Sequence, residues 1–441
     1  MNLHSSILYN KKAAYATLGC KLNYAETSSL RDRLSALGVT DACDDEEADF
    51  CIVNTCSVTG EADAKCRHAI NRLHRRHPHA LIAVMGCYAQ LAAEVIQKIE
   101  GVGLVVGMEH KGRIVELLEQ ALTGDADGLA FTSPLQDIRT FVPSCSRGER
   151  TRYFLKVQDG CNYYCTYCTI PIARGRSRNG SIASMVQQAE QAAAEGGREI
   201  VITGVNIGDF GRSTGESFAA LVQALDGVEG IQRYRISSIE PNLLTNEIID
   251  FCARSRAFMP HFHIPLQSGS DEVLRLMRRR YDTSLFRSKV ERIRSVMPDA
   301  FIGVDVIVGT RGETEEHFEE AYRFIESLDI SQLHVFSYSE RPGTKALEIP
   351  HTVSPQEKHE RSQRLIGLSE QKRLSHYRRF IGSVRPVLWE HLREGQPLLG
   401  WTDNYIRVKL SSRSEMVPDS LGNVRLGALS EDGETLEAFP L

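Results

Sequence analysis

Lys156-Val157-Gln158-Asp159-Gly160-Cys161-Asn162-Tyr163-Tyr164-Cys165-Thr166-Tyr167-Cys168 brings three thiols into one short segment. Three thiolates hold three corners of a [4Fe-4S] cubane and leave the fourth iron without a protein ligand, free to bind another molecule. A closed structural zinc site needs four ligands, usually in two matched pairs, and no fourth Cys or His follows Cys168 closely. The spacing therefore favours an open cluster over zinc.

The rest of the chain suits that reading. Its 441 residues predict about three domains, and 42% apolar with 25% charged residues is ordinary for a globular protein. No apolar run approaches the roughly 20 residues of a membrane span, and Met1-Asn2-Leu3-His4-Ser5 does not open a signal peptide, so a cytoplasmic protein is expected. Eleven cysteines, an odd number in a reducing compartment, point to metal or cluster ligation and away from a disulfide framework. A net charge of -5 excludes a uniformly basic nucleic-acid coat but permits local basic patches.

N-terminal to the cysteine stretch, short apolar runs alternate with amphipathic ones, the rhythm of parallel α/β units. Strands are expected at Ala13–Leu18, Phe50–Val53 and Leu81–Met85, with helices over Ala25–Leu37, through Ala69 and Leu73, and over Ala89–Ile99. Each strand ends just before a cysteine, at Gly19-Cys20, Asn54-Thr55-Cys56 and Gly86-Cys87. The carboxyl ends of parallel strands share one edge, so Cys20, Cys56 and Cys87 converge there as candidates for a second cluster. Small buried cysteines are also common near strand ends, and Cys43, Cys51, Cys66, Cys145 and Cys252 are read that way. Turn formers Gly124, Asp125, Gly128, Pro134 and Pro143 mark a linker.

From Tyr153 to about Ser337 six strands are expected, beginning near Tyr153, Glu199, Arg233, His261, Ile302 and Leu333, as in an incomplete barrel with its chemistry at the carboxyl ends of the strands. Beyond Arg378 only short β-like runs remain, at Pro386–Glu390, Tyr405–Leu410, Glu415–Pro418 and Asn423–Leu426, predicting a small all-β barrel.

The spacing of Cys161, Cys165 and Cys168, with Tyr167 before the last, resembles the fingerprint of the radical S-adenosylmethionine (SAM) enzymes. There the open iron chelates the cofactor, whose reductive cleavage gives a 5'-deoxyadenosyl radical. Over almost its whole length the chain resembles the methylthiotransferases, through Thr17-Leu18-Gly19-Cys20-Lys21-Leu22-Asn23, Val53-Asn54-Thr55-Cys56-Ser57-Val58-Thr59, Met85-Gly86-Cys87-Tyr88-Ala89-Gln90 and His263-Ile264-Pro265-Leu266-Gln267-Ser268-Gly269-Ser270. Within that family Gly204-Val205-Asn206-Ile207-Gly208 and Ser337-Tyr338-Ser339-Glu340-Arg341-Pro342-Gly343-Thr344 are most similar to the branch acting on N6-threonylcarbamoyladenosine in tRNA. One departure is Gly309-Thr310-Arg311-Gly312-Glu313-Thr314, where the family usually has Phe-Pro before the Gly-Glu; without the proline a freer turn is expected.

The resemblance implies an α/β protein in three parts: an open parallel α/β sheet over residues 1–135, an incomplete (β/α)6 radical SAM barrel over 136–375, and a small RNA-binding β-barrel like the family's TRAM domain over 376–441. It implies two [4Fe-4S] clusters, on Cys161, Cys165 and Cys168 and on Cys20, Cys56 and Cys87, the first cleaving SAM and the second delivering sulfur to C2 of the adenine. Tyr167, Gly196, Gly197, Glu199, Asn206, Ser238, Glu240 and Gln267 are the candidate SAM contacts. tRNA, an electron donor such as flavodoxin or ferredoxin, and a sulfur source are the implied partners. Basic candidates for tRNA are Arg72, Arg75 and Arg76, Arg278 to Arg280, Arg378 and Arg379, with Trp401, Tyr405, Arg407 and Lys409 on a β face. Isopentenyladenosine in tRNA or a ribosomal-protein aspartate are alternative substrates, and a metal-containing RNA-binding module without catalysis is the reading of another class.

Overall fold

A computed structural model describes residues 6–43, 45–124, 128–146, 151–392, 396–411 and 417–441. Met1 to Ser5, Asp125, and Glu415 and Met416 of the expected strand 415–418 lie outside them, and Val417 and Pro418 are not in a strand.

The N-terminal sheet is wholly parallel and six strands wide, in the order Thr40–Asp41, Lys12–Thr17, Phe50–Thr55, Leu81–Gly86, Val102–Val106 and Leu129–Phe131. Phe50–Thr55 is buried at every position because helices cover both faces. Val102–Val106, interrupted by Gly103, and Leu129–Phe131, within the expected linker, are two strands that periodicity does not reveal. The expected helix 89–99 is two pieces, Cys87–Leu91 and Ala93–Ile96, separated at Ala92, whose φ and ψ of -138° and 39° leave the helical region. The helix thus starts at the cysteine itself.

The six expected central strands are all present, as Arg152–Lys156, Glu199–Thr203, Arg233–Ile236, His261–Gln267, Phe301–Val308 and Gln332–Ser337. They form two parallel arcs of three, linked among the described residues by isolated bridges at Tyr234 to Phe258 and Ser238 to His263. The antiparallel pair Ser144–Cys145 closes the first edge. One apolar core runs beneath both arcs, from Leu155 and Ile200 to Ile302 and Leu333.

The C-terminal segment is a closed five-stranded barrel built from Val384–Trp389, Leu399–Thr402, Arg407–Leu410, Leu436–Pro440 and Leu421–Leu429. Its seat is the amino end of the central strands. Arg233 donates to the carbonyls of Trp401 and Pro386, and Arg235 to those of Thr402 and Asp403, while buried Glu199 pairs with Arg235 at 2.9 Å.

The N-terminal sheet meets the central barrel through a buried ion network. Glu26, on helix Lys21–Ser35, accepts from Lys111 at 2.5 Å and Lys156 at 2.7 Å. Asp159 takes Lys156 at 2.8 Å, Arg174 at 2.9 Å and Arg178 at 3.2 Å. Burial opposes ionisation of Glu26, yet Lys111, Lys156 and Arg174 outweigh it and hold the carboxyl below its ordinary 4.5; Asp159 lies below 3.8 for the same reason. Their stabilisation is therefore present above the ordinary carboxyl range and lost as acid protonates them in the fold. Glu26→Gln keeps the shape and strands buried cations, so the denaturation midpoint should fall by the equivalent of ~3–5 kcal/mol. An unchanged midpoint would show that the network carries no net stability.

Candidate cluster and cofactor site

Cys20, Cys56 and Cys87 stand at the carboxyl ends of three adjacent strands, so the edge convergence is present. Two glycines make it possible. Gly19 has φ +96°, and a Cβ there would lie 2.8 Å from Cys56 Sγ; Gly86 has φ +105°, and a Cβ would lie 2.4 Å from the Thr55 carbonyl. Cys20 caps helix Lys21–Ser35 and Cys87 opens the next short helix.

Opposite this edge lies the loop after Arg152–Lys156, carrying Cys161, Cys165 and Cys168. Gly160, at φ +69°, brings the backbone so close to Arg176 that a Cβ would sit 2.1 Å from its carbonyl oxygen. Thr166 anchors the loop to the carbonyls of Met277 and Leu276 at 3.1 and 2.9 Å. Thr169, one residue past Cys168, donates to the carbonyl of Ser57, one residue past Cys56, at 3.3 Å. Helix Ile170–Arg174 then packs on Cys87–Leu91, and the Arg174 guanidinium donates to Cys87 Sγ at 3.2 Å. The two triplets therefore face each other across the junction.

Burial pushes the thiols of Cys56 and Cys168 up to about 12 and that of Cys161 up to about 11. Neighbouring thiols add to the effect within each triplet, Cys87 on Cys56 and Cys165 on Cys168. Burial also raises Cys87 and Cys165, against the pull of Arg174 and Arg279. Arg279 donates to Cys165 Sγ at 3.0 Å and is itself held by Glu240 and the Tyr281 hydroxyl. Each triplet thus carries one guanidinium on one sulfur. Sequence reasoning placed Arg279 among phosphate contacts and passed over Arg174; nothing local in the sequence distinguishes an arginine aimed at a buried sulfur.

Of the SAM candidates, Asn206, Ser238, Glu240 and Gln267 lie at or just past the carboxyl ends of the strands, on the cysteine side. Gln158 Oε1 accepts from the amides of Val205 and Asn206 at 3.0 and 2.8 Å and shapes that turn. Among the described residues both side-chain polar atoms of buried Asn206 lack a partner, as does Oε1 of Gln267, which sits at φ +67° on a register shift. Buried amides left unpaired at a strand edge fit a polar cofactor that completes them. Tyr167 is half-buried, its hydroxyl 3.4 Å from Arg279.

Gly196, Gly197 and Glu199 are corrected. They lie at the amino end of their strand, the edge opposite the cysteines, where Gly196 and Gly197 end helix Ile182–Ala194 and Glu199 is taken up by Arg235. Trp401, Tyr405 and Arg407 are corrected as well. Trp401 stacks on Tyr405 at 4.4 Å, and the guanidiniums of Arg152 and Arg235 sit over Trp401 and Tyr405, so these two rings join the two barrels, while Arg407 pairs with Glu390 of its own barrel. The turn 309–314 is not loosened by the missing proline: Gly309 donates to Glu313, which a buried Arg361 holds at 2.7 Å.

The arrangement is that of a radical SAM enzyme: an incomplete parallel barrel with a three-cysteine loop at its carboxyl edge. The model of the radical SAM superfamily matches residues 155–325, and that of "Uncharacterized protein family UPF0004" residues 12–107. "Threonylcarbamoyladenosine tRNA methylthiotransferase MtaB" of Bacillus subtilis is 37% identical over 414 residues, 92% of this chain and 91% of that protein. The protein of that name from Aquifex aeolicus is 35% identical over 92% of this chain and 98% of its own length. "tRNA-2-methylthio-N(6)-dimethylallyladenosine synthase" of Clavibacter michiganensis is 35% identical over 84% of this chain and 71% of that protein. The radical SAM methyltransferase TsrM from Kitasatospora setae shares the fold, with a TM-score of 0.57 at 16% identity over 76% of this chain and 77% of that one. The chain belongs to the radical SAM methylthiotransferase family, whose enzymes use SAM and two [4Fe-4S] clusters.

The raised thiols give a direct check on cluster-free protein. Well below its pKa a thiol's ionised fraction grows about tenfold per pH unit, so iodoacetamide labelling of Cys161 and Cys56 should accelerate ~100-fold from about pH 7 to about pH 9. Exposed Cys20 and Cys43 should react first. Labelling of the buried thiols that ignores pH would contradict the burial effect.

Proposed function

We propose that this enzyme methylthiolates C2 of N6-threonylcarbamoyladenosine at position 37 of tRNA, beside the anticodon, giving 2-methylthio-N6-threonylcarbamoyladenosine. The observation that carries the reading is the facing pair of cysteine triplets, in a chain that matches relatives named for that substrate over 91% and 98% of their lengths. Relatives named for dimethylallyladenosine match at 32–35% identity over 69–88% of their lengths.

In this reading Cys161, Cys165 and Cys168 hold one [4Fe-4S] cluster and Cys20, Cys56 and Cys87 the other. When bound, the clusters and SAM supply what the side chains lack, a radical able to activate an aromatic C–H bond together with a source of sulfur and methyl. The protein's part is to bind, orient and exclude water. Asn206 and Oε1 of Gln267 offer SAM polar atoms without a partner among the described residues, and Ser238, Glu240 and Tyr167 are the further candidate contacts on the same side of the barrel. Arg279 and Arg174 fix the orientation of Cys165 and Cys87 through their hydrogen bonds. Lys65, His68, Arg72 and Arg75 line a shallow depression beside Leu18, next to the Cys20 edge, and suit phosphates of a bound anticodon arm. An external one-electron donor such as flavodoxin or ferredoxin, and a sulfur source, complete the reaction. No helix among the described residues is long and apolar enough to cross a membrane.

Nucleosides from a deletion strain test the substrate: 2-methylthio-N6-threonylcarbamoyladenosine should vanish while N6-threonylcarbamoyladenosine accumulates, and persistence of the product rejects the assignment. The roles of the cysteines are tested separately. Replacing Cys20, Cys56 and Cys87 by Ala should halve the iron of anaerobically reconstituted protein, preserve 5'-deoxyadenosine formation and abolish methylthio product. Full turnover by that variant would remove the sulfur-delivering role.

A further inference from the structure

A second group of donor atoms meets on the second arc of the central barrel, and none of its members belongs to a cysteine triplet. His263, Asp305 and His334 come from the adjacent strands His261–Gln267, Phe301–Val308 and Gln332–Ser337, and Asp305 is in register with His334. His263 Nε2 is 2.9 Å from Asp305 Oδ1 and 3.1 Å from His334 Nδ1, which is itself 3.2 Å from the same oxygen. Three atoms form one small triangle.

Protons alone do not satisfy that triangle. An ionised carboxylate oxygen only accepts. If both ring nitrogens carry protons and donate to Asp305, two N–H groups oppose each other across the 3.1 Å edge. If His334 Nδ1 is bare and accepts from His263, its lone pair faces the carboxylate oxygen across 3.2 Å. One edge stays unfavourable in either case, whereas a cation above the triangle attracts all three atoms at once. Donors about 2.1 Å from a shared metal and occupying one face of an octahedron stand about 3 Å apart, the spacing found here.

The surroundings leave the position accessible. The imidazole of His334 is 46% exposed, while Asp305 and His263 are 18% and 19% exposed. Two other charged groups face Asp305, Glu240 and Lys21; Glu240 is paired with Arg279, and neither makes an ion pair with Asp305 among the described residues.

We propose that His263, Asp305 and His334 bind one first-row divalent cation, held on one face by two imidazoles and a carboxylate, with its remaining coordination positions open to oxygen ligands from solvent or substrate. Two nitrogens and one oxygen suit Mn2+, Fe2+, Co2+ or Zn2+ and leave no reason to select the softer thiolate-bound metals. The site does not depend on the identity of the tRNA nucleoside.

The experiment uses full-length, cluster-loaded protein in the oxidised state, in which both clusters are silent in electron paramagnetic resonance, cleared of loose metal by chelator and gel filtration. Titration with Mn2+ should remove the free six-line signal in a saturable way at one ion per chain, and pulsed spectra of the bound ion should show nitrogen modulation from imidazole. Zn2+ should compete. Asp305→Asn and His334→Ala should each weaken uptake at least tenfold with cluster iron unchanged; the half-exposed His334 keeps the test valid should Asp305→Asn lose its fold. Absence of saturable uptake, uptake equal in the wild type and both variants, or bound Mn2+ without nitrogen modulation would overturn the proposal.

Discussion

The constraint on which the site depends is the burial of Glu26 and Asp159 among Lys111, Lys156, Arg174 and Arg178. Taking such groups out of water is costly, and only close geometry with every carboxylate oxygen engaged offsets the cost. That requirement fixes the N-terminal sheet against the barrel, because Glu26 and Lys111 come from one and Lys156, Asp159, Arg174 and Arg178 from the other. Four cations surround two carboxylates, so positive charge is left over, and Arg174 directs it at Cys87 Sγ. A set of thiolates is the natural counter-charge. The junction is thus built for sulfur ligands in their ionised form, although burial alone would keep each thiol protonated.

The same device appears at the other end of the central strands with a different result. There Glu199 is buried against Arg235 and Arg233, whose remaining donors are spent on carbonyls of the C-terminal barrel. Trp401 and Tyr405 close over the joint, with Arg152 and Arg407 over the Trp401 ring. Chemistry and docking therefore occupy opposite edges of one sheet, and the β-barrel is attached without any contact to the cysteine loop being needed.

Much of this was legible in the chain. Strand ends marked by Cys20, Cys56 and Cys87 could be read because apolar runs stop just before each thiol, and parallel topology forces such ends onto one edge. The six central strands were legible for the same reason. What stayed hidden depends on which end of a strand faces which partner. Gly196-Gly197 and Glu199 look like a ligand-binding edge in one dimension, yet the glycines precede their strand and Glu199 opens it, whereas Asn206 follows it. Val102–Val106 and Leu129–Phe131 escaped because Gly103 breaks one pattern and the other is only three residues long. Trp401, Tyr405 and Arg407 have the composition of an RNA-binding face, and only packing reveals that the two rings are already engaged by each other, by His261 and by arginines of the central barrel.

Arg278, Arg279 and Arg280 show why charge runs in particular resist such reading. They leave helix Asp271–Leu276 through a turn in which Arg278 has φ +56°, so the three side chains diverge. Arg279 turns inward to Cys165 and Glu240, while Arg280 lies over the ring of Tyr163 at 4.1 Å and donates to the carbonyl of Asn162. The turn is held in place by Thr166, itself part of the cysteine loop, so loop and turn order each other. Arg174 plays the corresponding part for Cys87, reaching from the barrel into the N-terminal sheet. Each triplet is therefore oriented by a guanidinium from a segment later in the chain, which couples completion of either sulfur set to folding of the segment that follows it.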